Sequence, residues 1–529
     1  MQKMERRRFL GLSALSTAAV LGSSTIMLPG CKKDEVVTYG AETEAIVIGS
    51  GFGGAVSSLR LTERGIPTLM LEMGKQWDIT GDKDVFCTTL KPDGRSTWLR
   101  TETILPIGPK LSWNSGKYVG VLDRVDYENM RMYRGTCLGG GSVVYGAMLP
   151  QAQEDIFHRV LPDIPYAEMH EKWYPLVRSV IKTSVAPQEV LNSKYYQYAR
   201  VGFDHCDKAG MERVYLNAGV NFFTIKAEID GNAKRAITNS DLLYGVNNGA
   251  KNSVDRNYIA HALGTGNLKI ETLTKVDVIK MLDDGRFEVV AQKINTKGEV
   301  VKTVSYTCKY LFVNAGVVGT NEILVKSRNL GYLPDMSAEV GKGVGFNGNA
   351  MAMRKVNEEV GGEQGTVPIS GYLQRDNPYG KVLVEQAPFP MGIELKRLLA
   401  LAVTQNESRG YFDFDATMAK ADFKLSPTAT QQSVESMRFF LDRIINANGG
   451  EIDGQTFPGG ISNNFTYHPL GGVVLGKASD MYGRVNGYKN LYVLDGSMIP
   501  GESGGCNPAL TIAAIAERCM ENILKYDFA

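Results

Sequence analysis

An α/β fold is predicted by three features: the apolar run Ala45-Ile46-Val47-Ile48, the glycine-rich turn after it, and a second run, Pro67-Thr68-Leu69-Met70-Leu71, that ends in Glu72. A continuous apolar run marks a parallel strand covered on both faces. The turn Gly49-Ser50-Gly51-Phe52-Gly53-Gly54 has the spacing G-x-G-x-x-G, and Ala55 to Arg64 carries helical periodicity up to Gly65. Strand, glycine turn, helix and a second strand closed by a carboxylate make a Rossmann-like, dinucleotide-binding unit.

Each position in that unit has a physical task. Gly49 permits the tight turn, Gly51 lets backbone approach a pyrophosphate, and Gly54 allows the helix to pack closely on the strand. The helix N-terminus offers free N–H groups to phosphates. Glu72, about 20 residues on, is placed to accept hydrogen bonds from ribose hydroxyls.

Three later segments extend the same unit. Tyr310-Leu311-Phe312-Val313-Asn314-Ala315-Gly316 is a strand-to-glycine turn leading into a helix through Lys326. Leu491 to Gly496 is a strand with a polar end, and Pro508 to Lys525 is a helix with Pro508 in its first turn. Strands of one sheet scattered along the chain imply an interrupted nucleotide domain (44–75, 252–342 and 483–529). The insertions, 76–251 and 343–482, would form a substrate-binding domain whose topology is not legible in the pattern.

The 529 residues allow two to four domains or two large interleaved ones, and 43% hydrophobic residues suffice for a substantial core. Lys+Arg of 58 against Asp+Glu of 57 argues against nucleic acid as a partner. The seven cysteines show neither CxxC spacing nor a paired framework, so neither a metal site nor a disulfide scaffold is expected.

Residues 1–31 read as targeting. Arg6-Arg7-Arg8-Phe9-Leu10 carries a twin-arginine pattern ahead of a weakly apolar run to Leu28, and Leu28-Pro29-Gly30-Cys31 resembles a lipobox. Residues 32–43 then read as a solvated tether, which predicts an exported lipoprotein at the periplasmic or outer surface of a bacterial membrane. An uncleaved membrane anchor is the other reading of the same run.

Three polar residues stand in contexts that suit alcohol oxidation, in which a hydride leaves carbon while the hydroxyl loses a proton. His468, within Tyr467-His468-Pro469-Leu470-Gly471-Gly472, is one of five histidines and the one in a glycine-rich setting. It is expected to position the hydroxyl and accept its proton. Asn507, ahead of Pro508, can hold the alcohol oxygen; its plainer role would be a helix cap. Glu385, in the strand-like Val382-Leu383-Val384-Glu385-Gln386-Ala387, should have its pKa raised by desolvation, which suits a general base; on the other face of the strand it would meet solvent.

With Met70-Leu71-Glu72-Met73-Gly74, Gly139-Gly140-Gly141-Ser142 and Tyr488-Lys489-Asn490-Leu491-Tyr492-Val493 added, the chain resembles the glucose-methanol-choline (GMC) flavin oxidoreductases from about Glu44 onward. Within them it is most similar to the cholesterol oxidases that bind FAD non-covalently. The resemblance implies an FAD domain and a substrate domain with a mixed sheet over the flavin. FAD contacts would fall at Gly49, Phe52, Gly53, Glu72, Gly141, Gly146, Met148, Val276, Asp495 and Gly496. The helix after Asn507 would aim its positive end at the flavin. Glu385 would move the proton that converts a Δ5 to a Δ4 ketone. The implied partners are a sterol or similar small alcohol, and O2 or a membrane electron acceptor. Tyr145 and Ala509 depart from the pattern beside the flavin, where asparagine and an aromatic are usual. A dehydrogenase of another bulky or polyol alcohol, and a non-catalytic sterol-binding protein, are the competing readings.

Overall fold

Parallel pairing of short, fully covered strands organises the half of the molecule that carries the glycine turn. In the computed structural model, which describes residues 38–80, 84–106 and 110–528, the strand Thr38–Ile48 lies between Thr68–Leu71 and Val300–Val313, parallel to both. Ala45 and Val47 pack with Leu59 and Leu61 of the helix Phe52–Glu63 and with the final helix, Ala509–Tyr526. Ile46 and Ile48 pack on the opposite face with Val317 and Val318 of the helix Gly316–Asn329. Helices on both faces are why the run is apolar without alternation.

The complete sheet runs Leu268–Glu271, Thr68–Leu71, Thr38–Ile48, Val300–Val313, Phe287–Ile294, Thr274–Met281, with Leu491–Tyr492 also paired to Val300–Val313. Its first pairings and that of Leu491–Tyr492 are parallel, and the last two are antiparallel. The strands therefore come from the start, middle and end of the chain.

The expected start of the fold at Glu44 is corrected. Residues 38–43, read as tether, already belong to the first strand: Thr38 pairs with Val304 and Tyr39 with Ser305, ahead of a bulge before Glu42. This stretch is held through backbone pairing while Ala41, Glu42 and Glu44 are exposed, so it leaves no apolar signal. The targeting segment and the remainder of the tether lie outside the described residues. Among the described residues no helix is long and apolar enough to cross a membrane.

A second sheet forms a roof opposite the glycine turn. Its order is Glu451–Ile452, Asn349–Lys355, Arg397–Thr404, Val382–Ala387, Ser370–Gln374, Glu212–Tyr215, and its pairings are antiparallel. Strand alternation divides its side chains. Val382, Val384, Ala400 and Ala402 pack with Met437, Phe440, Leu441 and Ile444 of the helix Gln431–Asn448. Glu385, Leu399, Leu401 and Met351 face the other way, toward the interior of the molecule. Helix on one face and protein interior on the other leave Glu385 no access to solvent, and it is 0% exposed.

Two smaller sheets complete the frame. Phe465–Thr466 joins Arg131–Gly135 and Leu122–Asp126, while Leu470–Gly472 joins Lys342–Gly345. His468 therefore sits in a short link anchored in a different sheet at each end.

The glycine turn is packed backbone to backbone. A Cβ on Gly54 would lie 2.0 Å from the Gly49 carbonyl oxygen, and one on Gly53 would lie 2.2 Å from that of Leu494, whereas one on Gly51 would meet nothing within 4 Å. Gly54→Ala should therefore destabilise the protein by about 1–3 kcal/mol, the usual cost of overpacking, and Gly51→Ala should leave it near wild type. Urea unfolding of the two variants checks the contrast.

Candidate active site

The carboxyl ends of the parallel strands, the helices that follow them and the inner face of the roof sheet enclose one cavity of about 650 Å3. Ile48, Leu71 and Asn314 mark the strand ends on its wall, the place where open α/β sheets bind ligands. Every candidate catalytic or cofactor-binding residue named from the sequence lines this cavity except Gly54. Gly54 has the packing role expected of it instead.

At the glycine-turn end, Glu72 is buried and its carboxylate is largely committed to the protein. Oε2 accepts from Ser50 N (3.1 Å) and Ser50 Oγ (2.5 Å), and Oε1 accepts from Gly74 N (2.7 Å). Burial raises its pKa, and these bonds oppose the rise. A carboxylate has roughly four acceptor sites, so about one is left for a ribose hydroxyl. Ser50, a variable position of the motif, proves structurally central. Its Oγ also accepts from Gly139 N (3.0 Å), tying together the turns at 50, 72 and 139.

Asp495 is engaged in a similar way. It accepts from Gly316 N (2.8 Å), Thr320 Oγ1 (2.6 Å) and Ser497 N (2.8 Å), which locks the strand end to the start of the helix Gly316–Asn329. Gly496 and Val276 complete this part of the wall beside Lys275 and Asp277. Gly141, Tyr145, Gly146 and Met148 form another side. The Tyr145 ring meets Phe52 edge-on at 5.8 Å, and its hydroxyl is buried without a hydrogen-bond partner, against Gly219. Lys251 stands behind this wall, fully buried, donating to the carbonyls of Val143 (2.8 Å), Tyr145 (2.8 Å) and Leu242 (2.7 Å).

At the opposite end three polar groups converge on an apolar wall. His468 Nε2 lies 3.4 Å from Asn507 Nδ2, and His468 Nδ1 lies 3.0 Å from Asn349 Nδ2. Asn507 makes no cap hydrogen bond to the final helix, and its Oδ1 is unpartnered. Ala509, Asn507 and Pro508 bring the N-terminus of that helix to the cavity. Neither Glu385 oxygen reaches hydrogen-bond geometry with a protein donor. Burial pushes its pKa up to about 8, with the Asn507 side chain offsetting part of the rise. Burial also pushes His468 down to about 4, because low dielectric disfavours whichever form is charged. The two groups are thus shifted in opposite directions by the same cause.

Family models described as GMC oxidoreductase match residues 38–344 and 416–516, and one described as GMC oxidoreductase, C-terminal, matches 347–457. The chain is a GMC oxidoreductase.

It is 25% identical over 546 residues to a cholesterol oxidase of Mycobacterium tuberculosis (strain CDC 1551 / Oshkosh), covering 90% of each chain. It is 22% identical over 556 residues to a cholesterol oxidase of Acinetobacter baumannii, covering 90% of this chain and 94% of the relative. Among solved structures it shares its fold with pyridoxine 4-oxidase from Mesorbium loti (TM-score 0.60, 13% identity) and with a fungal aryl-alcohol oxidase (TM-score 0.62, 12% identity). In both cases 92% of this chain and 100% of the other are covered.

GMC oxidoreductases are FAD-dependent alcohol oxidoreductases, and the cavity of this one fits the cofactor. A Cβ placed on Gly51, Gly141 or Gly316 would meet no protein atom within 4 Å, so these three cavity-lining glycines leave a cradle open to a ligand's backbone contacts. Gly51 also opens the helix Phe52–Glu63, where free N–H groups favour a pyrophosphate.

Asn349, buried behind His468, was not legible as a site residue. The Asn347-Gly348 pair is a turn signal, but nothing in the sequence says which side chains that turn would reach.

Glu385 makes folding pH-dependent. Its carboxyl titrates near 4.5 when exposed and about 8 in the fold, so folding takes up a proton between those values. Stability from this group is lost as pH rises through that window, at about 1.4 kcal/mol per unit. Urea unfolding of the apoprotein should therefore weaken by a few kcal/mol more between pH 5 and pH 8 in wild type than in Glu385→Gln. The opposing titration of His468 is common to both proteins and cancels in the comparison.

Proposed function

We propose that this enzyme oxidises a bulky, apolar secondary alcohol of the 3β-hydroxysteroid type, such as cholesterol, and isomerises the Δ5 ketone to the Δ4 conjugated ketone. The observation that carries the reading is the Glu385 carboxyl: fully buried, with no hydrogen-bond partner, on a wall of Met351, Leu399, Leu401 and Ala387. The cholesterol oxidases this chain resembles support the same substrate class. Non-covalent FAD and O2 as acceptor belong to this reading, as does twin-arginine export followed by lipidation of Cys31, which would hold the enzyme at a membrane surface.

FAD, when bound, takes the hydride. His468 and Asn507 stand side by side and hold the alcohol oxygen, aiming its C–H. Glu385 takes the hydroxyl proton, its raised pKa being matched to that task near neutral pH. Once that proton has been given up to water, the carboxylate removes a proton from C4 of the Δ5 ketone and returns it at C6, which leaves Glu385 as the carboxylate that began the isomerisation.

Tyr145 and Ala509 favour a second reading, a dehydrogenase that passes electrons to a membrane acceptor, because both change the wall beside the flavin. Anaerobic mixing with a panel of sterols and polyols distinguishes the substrates. A 3β-hydroxysterol should bleach the flavin and yield a product with conjugated-enone absorbance. Failure of every sterol to bleach it overturns the steroid assignment, and reoxidation by a dye but not by oxygen favours the dehydrogenase. Glu385→Gln should slow bleaching about 100-fold or more and form no conjugated enone.

A further inference from the structure

Lys251 is a buried cation that the alcohol chemistry above leaves idle. It is 3% exposed. Its Nζ donates to the carbonyls of Val143 (2.8 Å), Tyr145 (2.8 Å) and Leu242 (2.7 Å), and Tyr145 and Leu242 both belong to the cavity wall. A neutral amine carries two N–H groups and an ammonium three. Burial acts against the charge and pulls the pKa down to about 7, but the third carbonyl is one an amine could not satisfy. The geometry therefore selects the ammonium.

No ion pair cancels that charge. Asp241 and Asp255 are the carboxyl groups whose fields reach Lys251, together with the Cys137 thiol. Asp241 accepts instead from Asn247 Nδ2 (2.9 Å), and Asp255 Oδ1 is buried without a hydrogen-bond partner.

The three bonds also set the backbone of the wall. In a planar trans peptide the C=O and the following N–H point in opposite directions. The Tyr145 carbonyl turns back to Lys251, so the Gly146 N–H turns toward the cavity that Gly146 lines. The Ala147 carbonyl accepts from Gly219 N (2.8 Å) in the same sense, which turns the Met148 N–H the same way. Neither N–H has a hydrogen-bond partner among the described residues. Between them Ala147 has a φ of 66°, a left-handed conformation that a non-glycine residue keeps only where its surroundings impose it.

We propose that Lys251 is a positioning residue for the cofactor: it holds the 143–146 backbone with the Gly146 N–H facing the flavin, and its unpaired charge behind that wall raises the flavin's reduction potential. Reduction adds negative charge to the ring system, and a fixed positive charge in a low-dielectric interior favours the reduced form over the oxidised one. The inference needs FAD binding alone and is independent of the steroid assignment.

The test is equilibration of the holoenzyme with reference dyes at pH 6, comparing wild type with Lys251→Gln, which keeps N–H donors without the charge, and Lys251→Arg, which keeps the charge. Lys251→Gln should shift the flavin equilibrium about tenfold toward the oxidised form, lowering the two-electron potential by about 30 mV. Lys251→Arg should stay closer to wild type. A purely structural role would weaken the binding of both oxidation states alike and leave the potential unmoved. An unchanged potential in Lys251→Gln, or an equal fall in Lys251→Arg, therefore overturns the proposal. A second reading needs no neutral variant: 15N-lysine spectra of the wild-type holoenzyme at pH 6, with the Lys251 signal identified by its loss in Lys251→Arg. A side-chain nitrogen carrying three protons is expected, and one carrying two removes the charge on which the proposal stands.

Discussion

Close backbone packing at the glycine turn is the constraint on which the rest of the molecule depends. Gly54 lies against Gly49, and Gly53 lies against the Leu494 carbonyl, so the start of the chain is pressed onto a segment more than 400 residues later. That contact brings Asp495 beside Gly316 and carries the loop leading to Asn507 to the rim of the cavity. A sheet whose strands come from distant parts of the chain can form around such a joint, because the joint leaves no room for a side chain.

Desolvation acts on the enclosed polar groups with opposite signs. It raises Glu385 to about 8 and lowers His468 to about 4, so the acid becomes the better base and the imidazole stays neutral. The same force lowers the buried Lys251 to about 7, although three carbonyls receive its protons. Those opposite shifts support the base role proposed for Glu385. An apolar roof sheet, covered by a helix on its far face, is what makes the effect large.

Much of the site was legible because its residues sit in short-range patterns. Gly49 to Glu72 is a local unit, and its periodicities and spacing carry their own meaning. The inward-facing side of Glu385 was open in the sequence, since alternation permits either face until the partners of the strand are known. The part of the first strand ahead of Glu44 was missed because exposed Glu42 and Glu44 hide a pairing made by backbone. Ser50 and Asn349 were passed over because their partners, Glu72 and Gly139 in one case and His468 in the other, lie 22, 89 and 119 positions away.

By itself the sequence determined the nucleotide-binding unit and the polar residues available for alcohol chemistry, because short-range spacing and hydrophobic period dictate local backbone geometry. The tertiary structure decided which way the Glu385 and His468 pKa values shift and how the loops carrying His468 and Asn507 are held together. Those properties depend on burial and on hydrogen bonds between residues far apart in the chain, and no local pattern encodes them.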